Sequence, residues 1–390
     1  MSLSSLPLSY CTNVHPGQTV AEVEAGIERY TLAIRERYGL PMAAGLWLAR
    51  PVTRELLATP DGPRRFAARL SEHGLPCYTL NAFPYGNFHG ARVKEQVYLP
   101  DWSSPDRQRY TEDCARILAE LLPDGIDGSI STVPLGFKAA PKPPDFLDLC
   151  HSRLIDLALM LDRLGQEQGK TIRLAIEPEP CCDLETTAEA LAFFEGLNAA
   201  AEARGPGAAE AVRNHLGLCF DVCHQAVEFE DVAGAIREID RAGVRINKLH
   251  ISCAIRLEDP AGNREGREAL ARYVEPRYLH QTFARRRDGR PASVIDLTRE
   301  FLDDPGAEFL GADEWRIHFH VPVNVDGLGP LGTTRPALVE AIGAVAGLDY
   351  DPHLEVETYT WAVLPGEEAP DIVKGFGEEL SATHALLSRE

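Results

Sequence analysis

The sequence predicts an α/β fold, a (β/α)8 TIM barrel with a large insertion between strands seven and eight. Three observations predict it. Eight short runs of β-favouring apolar residues are spread along the 390-residue chain, and helical patterns alternate with them. The runs are apolar almost throughout rather than at every second position, as expected of parallel strands covered on both faces. The turn after the first run, CTNVHPG, lacks the glycine pattern of a nucleotide-binding open sheet, which makes the doubly wound sheet the runner-up.

The elements follow in order. The first strand is expected at 9–13 (SYCTN). Thr19 and Glu22 then form a capping box before AEVEAGIERYTLAIRERY, a helix that Gly39 stops. Strands two and three are expected at 43–48 (AAGLWL) and 77–82 (CYTLNA). Ser104 caps the helix RQRYTEDCARILAELL, with Pro105 at its first position, where a missing N–H leaves no bond unmade. The fourth strand is 129–133 (SISTV), and apolar positions at helical spacing fill 144–169 up to Gly169. The last four strands are 173–177 (RLAIE), 217–221 (GLCFD), 246–251 (INKLHI) and 354–358 (LEVET). Further helices are expected near 187–204, 230–242, 333–346 and 370–388. The stretch from His250 to Glu357 is too long for one connection. It predicts a helical, Arg-rich subdomain over 257–315, with helices near 264–274 and 294–302, set into one domain of residues 1–390. RIHFHVPV then reads as an accessory strand or rim segment.

Composition narrows the function classes. Hydrophobic residues make up 44% and charged residues 25%, as in ordinary globular proteins. No apolar run approaches the roughly 20 residues that span a bilayer, so direct membrane insertion is not expected. The opening MSLSSLPLSYCTNVHPG has neither a basic start nor a long apolar stretch, unlike a secretory signal. The nine cysteines are scattered without a CxxC pair, and the expectation is a reduced, cytoplasmic protein without disulfides. A formal net charge of −20 disfavours nucleic acid, whose phosphates need a basic face. Residues 264–290 are a local exception, with eight arginines against four acids. A small-molecule metabolite, neutral or anionic, is the expected partner, and a homo-oligomer stays open.

Chemistry gathers where the strands end. Glu177 ends RLAIE, Asp221 ends GLCFD, His250 ends INKLH and Glu357 lies near the end of LEVET. In a barrel, four successive strand tips surround one opening. Three carboxylates in a low-dielectric mouth need a positive partner or raised pKa values. A divalent cation supplies the first, and carboxylates with imidazole suit Mn²⁺, Co²⁺, Zn²⁺ or Fe²⁺. No nucleotide cofactor is expected. Taken singly, each residue has a plainer reading: Asp221 as a helix cap, or a histidine as a satisfied buried polar group. Glu355 competes with Glu357, and Glu179 with Glu177, because each pair is two residues apart and points the same way.

The pattern AIEP, FDVCH, KLHIS and VETYTW resembles the xylose-isomerase-like TIM-barrel superfamily, which includes sugar isomerases, ketose 3-epimerases and endonuclease IV. The resemblance implies one divalent metal on Glu177, Asp221, His250 and Glu357. It also implies substrate contacts from His224, three residues after Asp221, and Arg256, six after His250. Over the whole chain the sequence looks more like the EboE-type metabolite traffic proteins. The stretches that carry this are SYCTNVHPG, NAFPYGNFHGARVKEQVYLPDW, GSISTVPLGFK, EPRYLHQTF, HFHVP and LEVETYTW. In endonuclease IV an Asp-x-His at a comparable place binds further zinc. That implies an additional metal or site at His318 and His320, with His89 as a further donor. A plainer reading has both His318 and His320 hydrogen-bonding on one strand face.

Other strand ends carry His15, Trp47, Asn81, Phe83, Tyr85, Lys94 and Lys138. Trp47 and Phe83 are candidate walls for a polyol or small ring, or else packing residues. Lys138 and the 264–290 arginines are candidate anion binders, or else a solvated basic face. Together these readings predict a metal-dependent isomerase or epimerase of a sugar-like or hydroxy-carbonyl compound. Glu177 and Glu357 would move protons while the metal stabilises an enediolate. The alternatives are a non-catalytic metabolite carrier and, against the net charge, an endonuclease IV-like phosphodiesterase.

Overall fold

Near-continuous apolar strands need cover on both faces, and a closed parallel barrel ringed by helices supplies it. A computed structural model describes residues 6–286, 291–366 and 370–388. In chain order the first seven strands are β1 (Leu8–Cys11), β2 (Met42–Trp47), β3 (Thr79–Asn81), β4 (Gly128–Thr132), β5 (Ile172–Ile176), β6 (Leu216–Asp221) and β7 (Ile246–Ile251). Six strands of the insertion follow: β8 (Ile255–Glu258), β9 (Thr282–Arg285), β10 (Pro291–Val294), β11 (Glu314–Ile317), β12 (Gly327–Leu328) and β13 (Leu331–Thr333). The last barrel strand is β14 (His353–Val356). The barrel closes in the order β1-β14-β7-β6-β5-β4-β3-β2.

Local chemistry sets the helix ends. Thr19 accepts from the N–H of Glu22 at 3.2 Å, while the Glu22 carboxylate accepts from the N–H of Gln18 at 2.7 Å. Gly39 ends that helical stretch at φ +73°, a left-handed conformation that suits glycine. Ser104 accepts from the N–H of Asp106 ahead of the helix Pro105–Leu121. Inside that helix Arg107 is fully buried and donates to the carbonyls of Pro100, Ala82 and Phe83. It thereby ties down the loop that follows β3. The short helices Arg50–Leu57, Gly62–Glu72, Pro206–His215 and Val222–Val227 were not separated in the sequence reading. No described helix is long and apolar enough to cross a membrane. All nine cysteines are unpaired, eight of them buried.

The insertion differs from the helical subdomain expected over 257–315. Its framework is an antiparallel sheet in the order β10-β9-β11-β8-β13-β12, and its strands reach from Ile255 to Thr333. Helices Arg264–Leu270, Arg299–Asp303 and Gly306–Leu310 sit in its connections. Strands of two to four residues are too short to print an alternation that can be read against helical spacing. Its arginines are largely paired within the insertion: Arg264 with Glu268 at 2.7 Å, Arg285 with Glu314 at 3.0 Å, and Arg286 with Glu308. Arg287, Asp288 and Arg290 of the basic run lie outside the described residues.

Candidate metal centre

Asp221 ends β6 and caps the helix Val222–Val227. Its Oδ1 accepts from the N–H of His224 at 3.0 Å and from Ser252 Oγ at 2.7 Å. Cap and ligand candidate are therefore one residue: Oδ1 holds the turn, and buried Oδ2 accepts no hydrogen bond. Oδ2 lies 3.4 Å from His250 Nδ1. The register of β6 and β7 sets Asp221 beside His250, and that of β7 and β14 sets Glu355 on its other side.

His250 is the hub. Its Nδ1 lies 3.1 Å from Glu177 Oε1 and 3.0 Å from Glu357 Oε2, and its Nε2 lies 3.2 Å from Glu355 Oε2. Glu357 Oε1 accepts from Asn13 Nδ2 at 2.8 Å and from Asn81 Nδ2 at 3.2 Å. One ligand atom each from Glu177, Asp221, His250 and Glu357 falls within 4.8 Å of the other three. All four residues are buried, and Glu177 Oε2 joins Asp221 Oδ2 in having no hydrogen bond. Buried acceptors left without a donor are uncommon and costly.

The electrostatics demand positive charge here. Burial alone would raise the Asp221 carboxyl, but the imidazoles of His224 and His320 outweigh it and hold the group well below the usual carboxylate range. Glu357 is lowered in the same way: burial opposes, and His250 prevails. For His250 burial works against the charged form, yet Cys219, Glu357 and Glu177 raise it well above an ordinary imidazole. Within the four-residue cluster three carboxylates stand against one imidazole, with His224 and His320 beside Asp221. Oxygen donors with one nitrogen are the donor set of a hard or borderline divalent ion.

One layer deeper the charge closes on itself. Lys248 Nζ lies 2.6 Å from Glu355 Oε2, with neither side chain exposed. Burial would raise Glu355, but Lys248 and His250 bring it down to about 2. Glu355 therefore sits on the Nε2 side of His250, and Glu357 belongs to the four-residue cluster. Gly45 of β2 makes room: a Cβ there would collide with the Glu355 carboxylate and come 2.8 Å from the carbonyl of Tyr10.

A second cluster adjoins Asp221. Nδ1 of His224 donates to the carbonyl of Pro178 at 3.0 Å, that of His318 to Gln281 Oε1 at 2.8 Å, and that of His320 to the carbonyl of Glu357 at 2.8 Å. In a neutral imidazole so bonded, Nε2 is left as a bare lone pair. Buried Nε2 atoms of His318 and His320 have no hydrogen-bond partner. The His224 ring centroid lies 4.6 Å from that of His318 and 5.5 Å from that of His320. Burial, then His224 and His320, hold His318 well below its ordinary pKa. Asp221, His224 and His320 also place ligand atoms within 4.8 Å of one another. Glu179 lies near and is raised well above the carboxylate range by burial, while Tyr98 donates to it at 2.6 Å.

A cavity opens onto Glu177, Glu357, His224 and His318, and Phe83 is in its wall. Four expected site residues lie elsewhere. Lys138 is held in ion pairs with Glu185 and, at 2.7 Å, Glu189. Arg256 belongs to β8 and pairs with Glu258 and, at 3.0 Å, Glu314, because the chain after β7 turns into the insertion sheet instead of looping over the mouth. Trp47 is buried and donates from Nε1 to the carbonyl of Pro84 at 2.8 Å. His89 donates from Nε2 to the carbonyl of Asn13 at 2.8 Å, which supports a partner of Glu357 instead of completing the His318–His320 cluster. Residues that sequence reasoning missed include Asn13, Tyr98, Tyr278 and Gln281. Asn13 carried a signal, a polar amide two residues past a barrel strand; Gln281, deep in the insertion, carried none.

No family model matches the chain, and no curated protein sequence matches it. Solved structures do. The chain is similar to the IOLI protein with a binding zinc atom, at 12% identity over 98% of this chain and 99% of that one, with a TM-score of 0.50. It is also similar to a xylose isomerase-like TIM barrel protein from Mycobacterium smegmatis in complex with magnesium, at 12% identity over 99% of each chain, with a TM-score of 0.51. At such identities the likeness shows the fold, the TIM barrel.

Proposed function

We propose that the barrel mouth binds a divalent cation through Glu177, Asp221, His250 and Glu357 and acts on a hydroxy-carbonyl metabolite as an isomerase or epimerase. The observation that carries this is the convergence of four buried ligand atoms, two of the carboxylates each keeping an oxygen without a hydrogen bond. The zinc and magnesium bound in the two similar barrels agree with it. The cation supplies chelation of adjacent substrate oxygens and stabilises negative charge that develops there. Glu177 and Glu357 face the cavity and transfer protons to and from substrate carbon, while Asn13 and Asn81 hold Glu357 in place. His250 keeps Nδ1 toward the cluster because its Nε2–H is engaged by Glu355. His224, at the cavity edge, meets either the substrate or a second ion.

The second ion is the part of this reading that His224, His318 and His320 support, with Asp221 common to both clusters. Asp221, His224 and His320 bring ligand atoms within 4.8 Å of one another, as do Glu179, His224 and His318, and imidazoles pinned through Nδ1 suit zinc. Elemental analysis after metal loading tests both sites. Two ions per chain are expected, with one lost in His318→Ala/His320→Ala and both weakened in Asp221→Ala. No retained ion in the parent protein would sink the reading.

The resemblance to the EboE-type metabolite traffic proteins supports a second reading, carriage without turnover. The observation that favours it is the roof over the cavity, where the N–H groups of Val93 and Lys94 both donate to the carbonyl of Arg277 in the insertion at 2.8 Å. Solvent deuterium separates the two. Incorporation at carbon that disappears in Glu177→Gln and Glu357→Gln speaks for turnover, and a bound metabolite recovered without deuterium speaks for carriage.

A further inference from the structure

The cavity above the metal cluster has the wrong walls for a sugar. Phe83, Phe88, Val97, Tyr278 and Leu279 line its sides, the last two contributed by the insertion. Tyr98, Tyr278 and Lys94, which share the lining, are already engaged. Tyr98 OH donates to Glu179 and accepts from Gln281 Nε2 at 2.9 Å. Tyr278 OH donates to the carbonyl of Phe88 at 3.2 Å. Lys94, the only lysine or arginine among the described lining residues, is tied to Asp296 at 2.6 Å and to the carbonyl of Glu275 at 3.2 Å. Asn13 and Asn81 each donate one amide N–H to Glu357, while Asn13 Oδ1 has no partner. A polyol buried here would lay most of its hydroxyls against apolar walls, and each one left without a partner opposes binding. A phosphate or carboxylate would meet no uncommitted lysine or arginine in this lining. At the base the situation reverses, with the carboxylates and the bare imidazole nitrogen of His318 facing the same space.

We propose that the ligand of this cavity is an uncharged molecule with an apolar or aromatic body and a pair of adjacent oxygens, such as an α-hydroxyketone, at one end. The oxygens lie toward the metal cluster and the body lies between Phe83, Phe88 and Tyr278. The proposal rests on the cation reading for the orientation of the oxygens and on the walls alone for the body.

The test uses three α-hydroxyketones that differ only in body: 2-hydroxyacetophenone, hydroxyacetone and erythrulose. Their affinities are measured calorimetrically on the full chain, metal-free and after Co²⁺ loading, with the visible Co²⁺ spectrum followed in parallel. The aryl ketone is expected to bind at least about tenfold more tightly than hydroxyacetone in both forms, as burial of a phenyl ring predicts. Erythrulose is expected to gain nothing over hydroxyacetone. In Phe88→Ala the aryl advantage shrinks several-fold. Erythrulose binding as tightly as the aryl ketone, or equal affinities for all three, would overturn the proposal. If Co²⁺ is not retained, the cation reading fails by itself, and the aryl preference of the metal-free protein still decides the wall. If Co²⁺ is retained and the aryl preference is missing, the substrate class is wrong and the metal centre stands.

Discussion

Two layers of the same barrel, stacked around His250, handle buried charge in opposite ways. Below, Glu355 meets Lys248 at 2.6 Å and receives His250 Nε2–H, so the floor is neutralised by the chain itself. Above, Glu177, Asp221 and Glu357 crowd the other nitrogen with no lysine or arginine among the described ion partners, and two of their oxygens have no donor. Burial is near complete in both layers, so burial does not distinguish structure from function here. Supply of the counter-charge does. A chain that can place Lys248 in the floor could have placed another lysine in the mouth, and its absence there leaves the charge for a ligand to balance.

The comparison can be broken first at the floor. Lys248→Met leaves Glu355 buried without its lysine and should cost about 3–5 kcal/mol in urea unfolding. Lys248→Met with Glu355→Leu should recover most of it, and a single-variant loss below about 1 kcal/mol would mean the floor is not self-neutralised.

A buried carboxyl outside both layers sharpens the contrast because it has neither lysine nor cation site. Glu379 accepts from Thr358 Oγ1 at 2.6 Å, the N–H of Val323 at 3.1 Å and Trp361 Nε1 at 2.8 Å, and burial pushes it up to about 7. Its ordinary value is 4.5. Between those two values the native state holds the proton more tightly than the unfolded chain. Stability therefore falls as pH rises through that window, by roughly 3 kcal/mol in all. Unfolding curves across it should show the slope, and Glu379→Gln should flatten it.

At the mouth, Glu177→Gln removes one of three crowded carboxylates. The metal-free protein should be no less stable, and the stabilisation by the ion of this cluster, about 2.7 kcal/mol at a hundredfold excess over Kd, should be lost while that of the histidine site remains. Thermal unfolding with and without Co²⁺ reads both effects, and a metal-free variant markedly weaker than the parent would reverse the assignment. The smallest effect belongs to the surface. Arg264→Ala, in an exposed pair with Glu268, should change stability by less than about 0.5 kcal/mol.

The barrel was legible in the sequence because each buried strand repeats one simple signal. All eight expected strands overlap barrel strands of the structure, from SYCTN at β1 to LEVET at β14. The four-residue cluster was legible for a related reason: Glu177, Asp221, His250 and Glu357 interrupt or follow apolar runs at the same end of each strand. Arg256 and Lys138 are absent from the cavity lining and pair with carboxylates, because spacing along the chain does not say where a connection goes after its strand. The insertion sheet was missed because four-residue strands carry too little periodicity. The choice between Glu355 and Glu357 needed Lys248, which no local pattern joins to either.

Gly45 gives a way to recognise kin of this chain without looking at its chemistry. The space its missing Cβ leaves is filled by the Glu355 carboxylate, which in turn faces Lys248. Three residues on three strands are thus locked together by volume and charge, independently of what the mouth binds. A search demanding glycine, lysine and glutamate at these positions would sort barrels sharing this floor from those sharing only the metal residues. Descendants that changed substrate, or lost catalysis altogether, would still be found by the first criterion and missed by the second.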